Sequence, residues 1–116
     1  MADQPRSWSL AAASEIAVEV RRITAAAVAE VEALEARRGE IGGAGNEAAR
    51  AALEQELARA VAAWVRAMEA LGVEVKGRWL VVFDNGTGYY CWRWPETRLE
   101  YFHGYEDGFA GRVRIQ

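Results

Sequence analysis

The segment WLVVFDNGTGYYCWRW, Trp79 to Trp94, decides how the rest of the chain is read. Two runs rich in β-branched and aromatic residues, 79–83 and 89–94, flank Asp84-Asn85-Gly86-Thr87, and Asn-Gly between such runs is a strong short-range signal for a β-hairpin. Pro95-Glu96-Thr97 supplies the next turn, so 99–103 follows as a third strand. The expectation over 79–103 is a three-stranded antiparallel meander. With two-residue turns, Trp79, Val81, Phe83, Tyr90, Trp92, Trp94, Leu99, Tyr101 and His103 share one nearly apolar face, which should pack on the rest of the protein. The other face carries Leu80, Val82, Tyr89, Cys91, Arg93, Arg98, Glu100 and Phe102, with Arg93 and Glu100 as a candidate cross-strand pair. Four of these residues are apolar or aromatic, more than a wetted face requires, so either the tail over 104–116 or a second subunit should cover them.

Upstream, the period changes from two to between three and four. Ile16, Val20, Ile23, Ala27, Val31 and Leu34 form one stripe on a helix expected over 9–38, with Ser9 as N-cap, Trp8 as hydrophobic staple, and Arg37 and Arg38 in the last turn. The segment GEIGGAGN, Gly39 to Asn46, breaks that pattern and reads as a flexible connector. A second helix is expected over 46–71, capped by Asn46, striped by Leu53, Leu57, Val61, Trp64, Met68 and Leu71, and closed by Gly72. Its many alanines allow close approach of the two axes. The fold expected is therefore α+β: one domain over 1–116, in which a long antiparallel two-helix hairpin packs on the three-stranded meander.

Composition narrows the function classes. The 116 residues are 52% hydrophobic and 27% charged, with a net charge of −3, an ordinary globular balance that offers phosphates no positive field. Nucleic acid is therefore not an expected partner. MADQPRSWSL lacks the apolar core of a signal peptide, and no run approaches the roughly 20 apolar residues that span a bilayer, so a cytoplasmic bacterial protein without membrane association is expected. One Cys excludes an intrachain disulfide. One Cys and one His cannot alone supply the usual four ligands of structural zinc, so neither metal nor other cofactor is expected.

The C-terminal third nevertheless gathers rare residue types in a fixed order. Gly72-Val73-Glu74-Val75-Lys76, then Leu80-Val81-Val82-Phe83, Cys91-Trp92-Arg93-Trp94-Pro95-Glu96, Tyr101-Phe102-His103 and Asp107-Gly108-Phe109-Ala110-Gly111-Arg112 follow one another, after the capped start Trp8-Ser9-Leu10. In this the whole chain resembles DUF2203, a prokaryotic family of unknown function. The resemblance rests on blocks of the type G-x-x-V-K, G-L-V-D-F, C-W-K/R-x-G-E, F/Y-W-H and D-x-G-F-A-G-R. Val82 stands here where that pattern has an acidic residue, Pro95 where it has Gly, and Phe102 where it has Trp. The resemblance implies no particular activity, but it marks the tail as the place for a site.

Cys91 and His103 are the sharpest pair of chemical groups, yet in the register above they point to opposite faces, and only a one-residue slip or a bulge would bring them together. His103 titrates nearest neutrality, and with Lys76 and Arg112 it would present a cationic corner to a carboxylate or phosphate. The competing structural reading pairs Arg112 with Asp107 or Glu106 to fix the tail, and uses Phe109 as a core plug. The binding candidates are thus Lys76, Trp92, His103 and Arg112, with no complete catalytic set. Two functions remain open: a structural or protein-interaction module that forms a homodimer, with or without a further protein partner, and a small-molecule or anion-binding protein, conceivably an enzyme, with its site near His103 and Arg112.

Overall fold

The structure, a computed structural model, describes residues 7–115. Its elements run α1 (Leu10–Glu40), α2 (Glu47–Leu71), β1 (Glu74–Gly77), β2 (Leu80–Asp84), β3 (Tyr89–Arg93), β4 (Tyr101–His103), a 3₁₀ turn (Phe109–Gly111) and β5 (Val113–Arg114). The architecture is α+β, with the two helices packed against an antiparallel sheet of order β1-β2-β3-β4-β5.

The start of α1 is fixed twice. Ser9 Oγ accepts the Ala12 amide at 3.1 Å, and the Trp8 amide donates to Asp84 O at 2.7 Å while its indole packs edge-on against Phe83. The cap thereby ties the helix to the end of β2. The buried line of α1 is Ala13, Ala17, Val20, Thr24, Val28, Val31 and Leu34; it keeps Val20, Val31 and Leu34 of the expected stripe and takes Ala17, Thr24 and Val28 in place of Ile16, Ile23 and Ala27. Small Ala13 and Ala17 let the helix lie close on the sheet, and the bulkier Ile16 and Ile23 occupy the flanks. On α2, Leu53, Leu57, Ala60, Trp64 and Met68 face inward, and Gly72 closes the helix at φ 88°, a conformation that costs glycine least. Asn46 does not cap α2 through its side chain. Its amide donates instead to Gly42 O, holding the connector.

Two cores result. Where the sheet covers the hairpin, Val20, Trp64 and Met68 meet Val81, Phe83 and Trp92. Beyond the sheet, Val31, Leu34, Leu53, Leu57 and Ala60 form a core between the helices alone. Trp79 packs against both. The uncovered part of the hairpin projects, so the radius of gyration is 16.9 Å where a compact chain of this length has about 13 Å. No helix among the described residues is long and apolar enough to cross a membrane.

The sheet differs from expectation in four ways, each with a local cause. It has five strands because Glu74–Gly77 and Val113–Arg114 add short edges, too brief to show a period in the sequence. Trp79 leaves the strand for the β1–β2 turn at φ 65°, a left-handed conformation unusual for a bulky residue, and is held there by the edge of Trp64 at 4.9 Å. The β2–β3 loop has four residues rather than two. Asn85 Oδ1 accepts the Thr87 and Gly88 amides there, and the shift of two residues leaves the faces of both strands as expected. The fourth difference matters most. β3 and β4 pair Tyr89 with His103 and Cys91 with Tyr101, an odd slip that turns Tyr101 and His103 to the outer face and Phe102 inward. The connection before β4 is irregular, with the Glu96 carboxylate accepting the Arg93 amide and the Glu96 amide donating back to Arg93 O, both at 2.9 Å. The expected Arg93 and Glu100 pair does not form; Glu100 meets Arg98 at 3.2 Å and Arg114 at 3.5 Å.

Candidate functional site

The slip in β4 assembles a site on the outer face of the sheet. Leu80 and Val82 from β2 form its apolar floor, with Tyr89 and Cys91 from β3 and His103 from β4 beside them. The tail returns over this face after His103, so that Tyr105 and the segment from Glu106 to Phe109 make the opposite wall. Between them lies a pocket of about 340 Å³. Of the two coverings considered for this face, the tail is therefore present, and it covers the face only in part.

Lys76 enters from β1. The pairing of β1 with β2 shifts between Val75 and Gly77, and Lys76 sits at that shift; such irregularities commonly re-aim a side chain. Its ammonium lies 5.3 Å from the Tyr89 ring centroid and 3.6 Å from Glu74. Both Lys76 and Glu74 are about half exposed, so this ion pair holds the lysine only weakly. His103 is buried, with Nδ1 2.8 Å from Gly104 O and its ring edge-on to Tyr89. A carbonyl only accepts, so Nδ1 carries a proton, which leaves Nε2 as the acceptor in the neutral form of the ring. Gly88 makes room here, because a Cβ in its place would stand 2.7 Å from His103 O.

Cys91 lies on the same face as His103, which overturns the opposite-face expectation. The two are diagonal neighbours across β3 and β4, but they do not engage each other: His103 Nδ1 meets Gly104 O, and the charged group acting most on Cys91 is Arg112. Burial pushes the Cys91 thiol up, partly offset by the nearby Arg112 guanidinium, so the thiolate needed for nucleophilic chemistry is disfavoured. Among the described residues no group of three or more His, Cys, Asp or Glu could hold a metal ion.

The remaining candidates fall outside the pocket. Trp92 points inward and is fully buried in the main core, its indole donating to Glu96 O at 3.0 Å. Arg112 is committed to structure: it meets both Glu96 carboxylate oxygens, at 2.8 and 3.1 Å, and its guanidinium stands 4.0 Å from the ring centroids of both Tyr101 and Phe109. The tail lock is thus Glu96, not Asp107 or Glu106. Phe109 is a half-buried cover on the outer face rather than a core plug. Asp107 instead receives the Gly104 amide at 3.2 Å.

Tyr89 and Tyr105 belong to the site, although sequence reasoning does not single them out. Their rings meet edge-on at 5.1 Å, and only the fold of the tail brings them together. The Tyr105 hydroxyl donates to Asp84 Oδ1 at 2.7 Å, and this bond to a carboxylate raises its pKa from the ordinary 10.0 to about 12. Because the folded value is the higher one, the stabilisation is complete below pH 10 and is lost as pH rises from there through about 12. Absorbance titration at 295 nm should show one tyrosine ionising near pH 12. Tyr105→Phe should remove that step alone; a titration unchanged in the variant would mean that the bond does not form.

Residues 6–115 match the family described as Uncharacterized conserved protein (DUF2203). The chain belongs to the DUF2203 family. The match spans nearly the whole chain, helices as well as tail, as the resemblance in sequence implied. No match was found among curated proteins or among solved structures. For this DUF2203 chain, the site therefore rests on its own residues and their geometry.

Proposed function

We propose that this protein binds a small molecule in the pocket beneath its C-terminal tail. One observation carries the reading: a lysine and a histidine converge on an apolar floor in a concave space of about 340 Å³, the combination of few polar groups and apolar lining that small-molecule sites share. It is also where the chain spends its single Lys, its single His and its single Cys. Of the two functions open from sequence, this is the binding protein, with Lys76 and His103 retained as site residues and with Trp92 and Arg112 assigned to structure. A thermal-shift screen of a small-metabolite library against the wild type and His103→Leu tests it. Compounds that raise the melting temperature of the wild type by several degrees, and not that of the variant, are expected. A library without any such compound would sink the reading.

A second reading, a homodimer of two-fold symmetry serving as an interaction module, is favoured by a different surface. Val18 on α1 is 68% exposed and lines a groove of about 440 Å³ between α1 and the connection that includes Thr97 and Leu99. Light scattering on dilution should then give twice the chain mass, and Val18→Glu should halve it. A mass of one chain at all concentrations would remove this reading.

A further inference from the structure

We infer that the ligand of this pocket is a small monoanionic acid that also carries a hydroxyl group, a hydroxy-carboxylate in chemical class, with its anionic oxygen at Lys76 and its hydroxyl donating to His103 Nε2. This rests on the small-molecule reading above and deepens it.

The argument begins with a hydrogen-bond account. His103 is only 7% exposed, and its Nδ1 is taken by Gly104 O. Its Nε2 has no hydrogen-bond partner among the described residues, yet none of their buried side-chain nitrogens or oxygens is left unsatisfied. Nε2 therefore opens onto free space, and the space bordered by this residue is the pocket. With Nδ1 donating to Gly104 O, the proton-free nitrogen of the uncharged imidazole is Nε2, which calls for a donor. A ligand hydroxyl supplies one, whereas a carboxylate oxygen, which only accepts, does not.

The anion is assigned by elimination among the cations. Arg112 is held by Glu96 and two aromatic rings, and Arg93, 5.1 Å from the Phe109 ring centroid, does not line the pocket. Among the described Lys and Arg residues Lys76 alone borders the pocket, and its only ion-pair partner among them is the half-exposed Glu74 at 3.6 Å, a contact that an incoming anion displaces at little cost.

The charge of the ligand follows from the rim. Glu106 and Asp107 line the tail side, and Asp84 stands behind Tyr105. One ammonium can offset a single negative charge, while the carboxylates around it repel the further charge of phosphate dianions and nucleotides. The volume sits at the small end of ligand sites, and Leu80, Val82 and Phe109 suit an apolar body of one ring or a short branched chain.

His103 is the chain's only histidine, so its two imidazole nitrogens report without ambiguity in a long-range ¹H–¹⁵N correlation spectrum of the full chain. The probes are glycolate, lactate and mandelate, with phenylacetate lacking the hydroxyl, mandelamide lacking the charge and phenyl phosphate carrying two charges. Mandelate is expected to move the Nε2 resonance saturably, with phenylacetate and mandelamide each binding about tenfold more weakly, the loss typical of one hydrogen bond to a charged or buried partner. Lys76→Gln, at an exposed position, should keep the fold and abolish the preference for mandelate over mandelamide. If none of the three hydroxy acids moves Nε2, or if acid and amide bind alike, the ligand class is wrong. Should library compounds still stabilise the wild type and not His103→Leu in that case, the small-molecule reading survives without it; if none does, both fall.

Discussion

Trp64→Ala is expected to cost about 3–5 kcal/mol, a large share of the roughly 5–15 kcal/mol that holds a domain folded. Trp64 is 2% exposed, and its ring edge meets Trp79 where the sheet-covered core adjoins the core between the helices. Its indole Nε1 donates to Thr24 Oγ1 at 2.8 Å across the helix pair. Truncation therefore leaves a cavity, removes the donor to Thr24, and frees the ring of Trp79, whose packing helps to hold its φ of 65°. Urea unfolding measures the loss as a fall in the midpoint at unchanged slope. Trp64→Phe separates the causes: it keeps most of the ring and loses only the indole N–H, and because Thr24 can turn to a carbonyl of its own helix the cost should be about 1 kcal/mol. Near-equal costs for the two variants would mean that the hydrogen bond, not the packing, is what joins the helices.

Arg112→Met is the second large effect, about 2–3 kcal/mol, between the figures for exposed and fully buried ion pairs because the Arg112 and Glu96 side chains are 13% and 21% exposed. Methionine keeps the contact with Tyr101 and Phe109 but leaves the Glu96 carboxylate without its cation. Arg112→Lys should rescue little, since an ammonium can neither bridge both carboxylate oxygens nor stack as a plane between two rings. Glu96→Gln in the Arg112→Met background should recover part of the loss by removing the stranded charge. The same substitution loosens the tail over the outer face, so alkylation of Cys91, fully buried in the wild type, should accelerate by about 30-fold for 2 kcal/mol of local opening. An unchanged alkylation rate in a destabilised variant would show that the tail is not what shields the thiol.

Much of this architecture is legible in the chain because its signals are local. The Ser9 cap and the Gly72 stop come from single residues with one favoured geometry each, and the spacing of apolar residues marks both helices. The faces of β2 and β3 are also legible, since a loop longer by two residues leaves their alternation intact. The stripe of α1 holds at Val20, Val31 and Leu34 and moves by one residue elsewhere, because periodicity records which positions are apolar, not which of them are small enough for close approach.

The candidate site is legible only in part, and for one reason. Lys76 and His103 are conspicuous as the single Lys and single His, and both border the pocket. Their common face is not readable, because it depends on the parity of the β3–β4 register and on the shift in β1, and one residue either way reverses every side chain beyond it. The partner of Arg112 is equally hidden: Asp107 and Glu106 are near in sequence, but the tail folds back to place Glu96 against the guanidinium. By itself, then, the sequence determined the two helices, the Ser9 cap, the Gly72 stop, the β2–β3 hairpin and the family, all properties of neighbouring residues. Tertiary structure decided the register of β4, the path of the tail and hence the pocket, because these rest on contacts between residues far apart in the chain, which no local preference encodes.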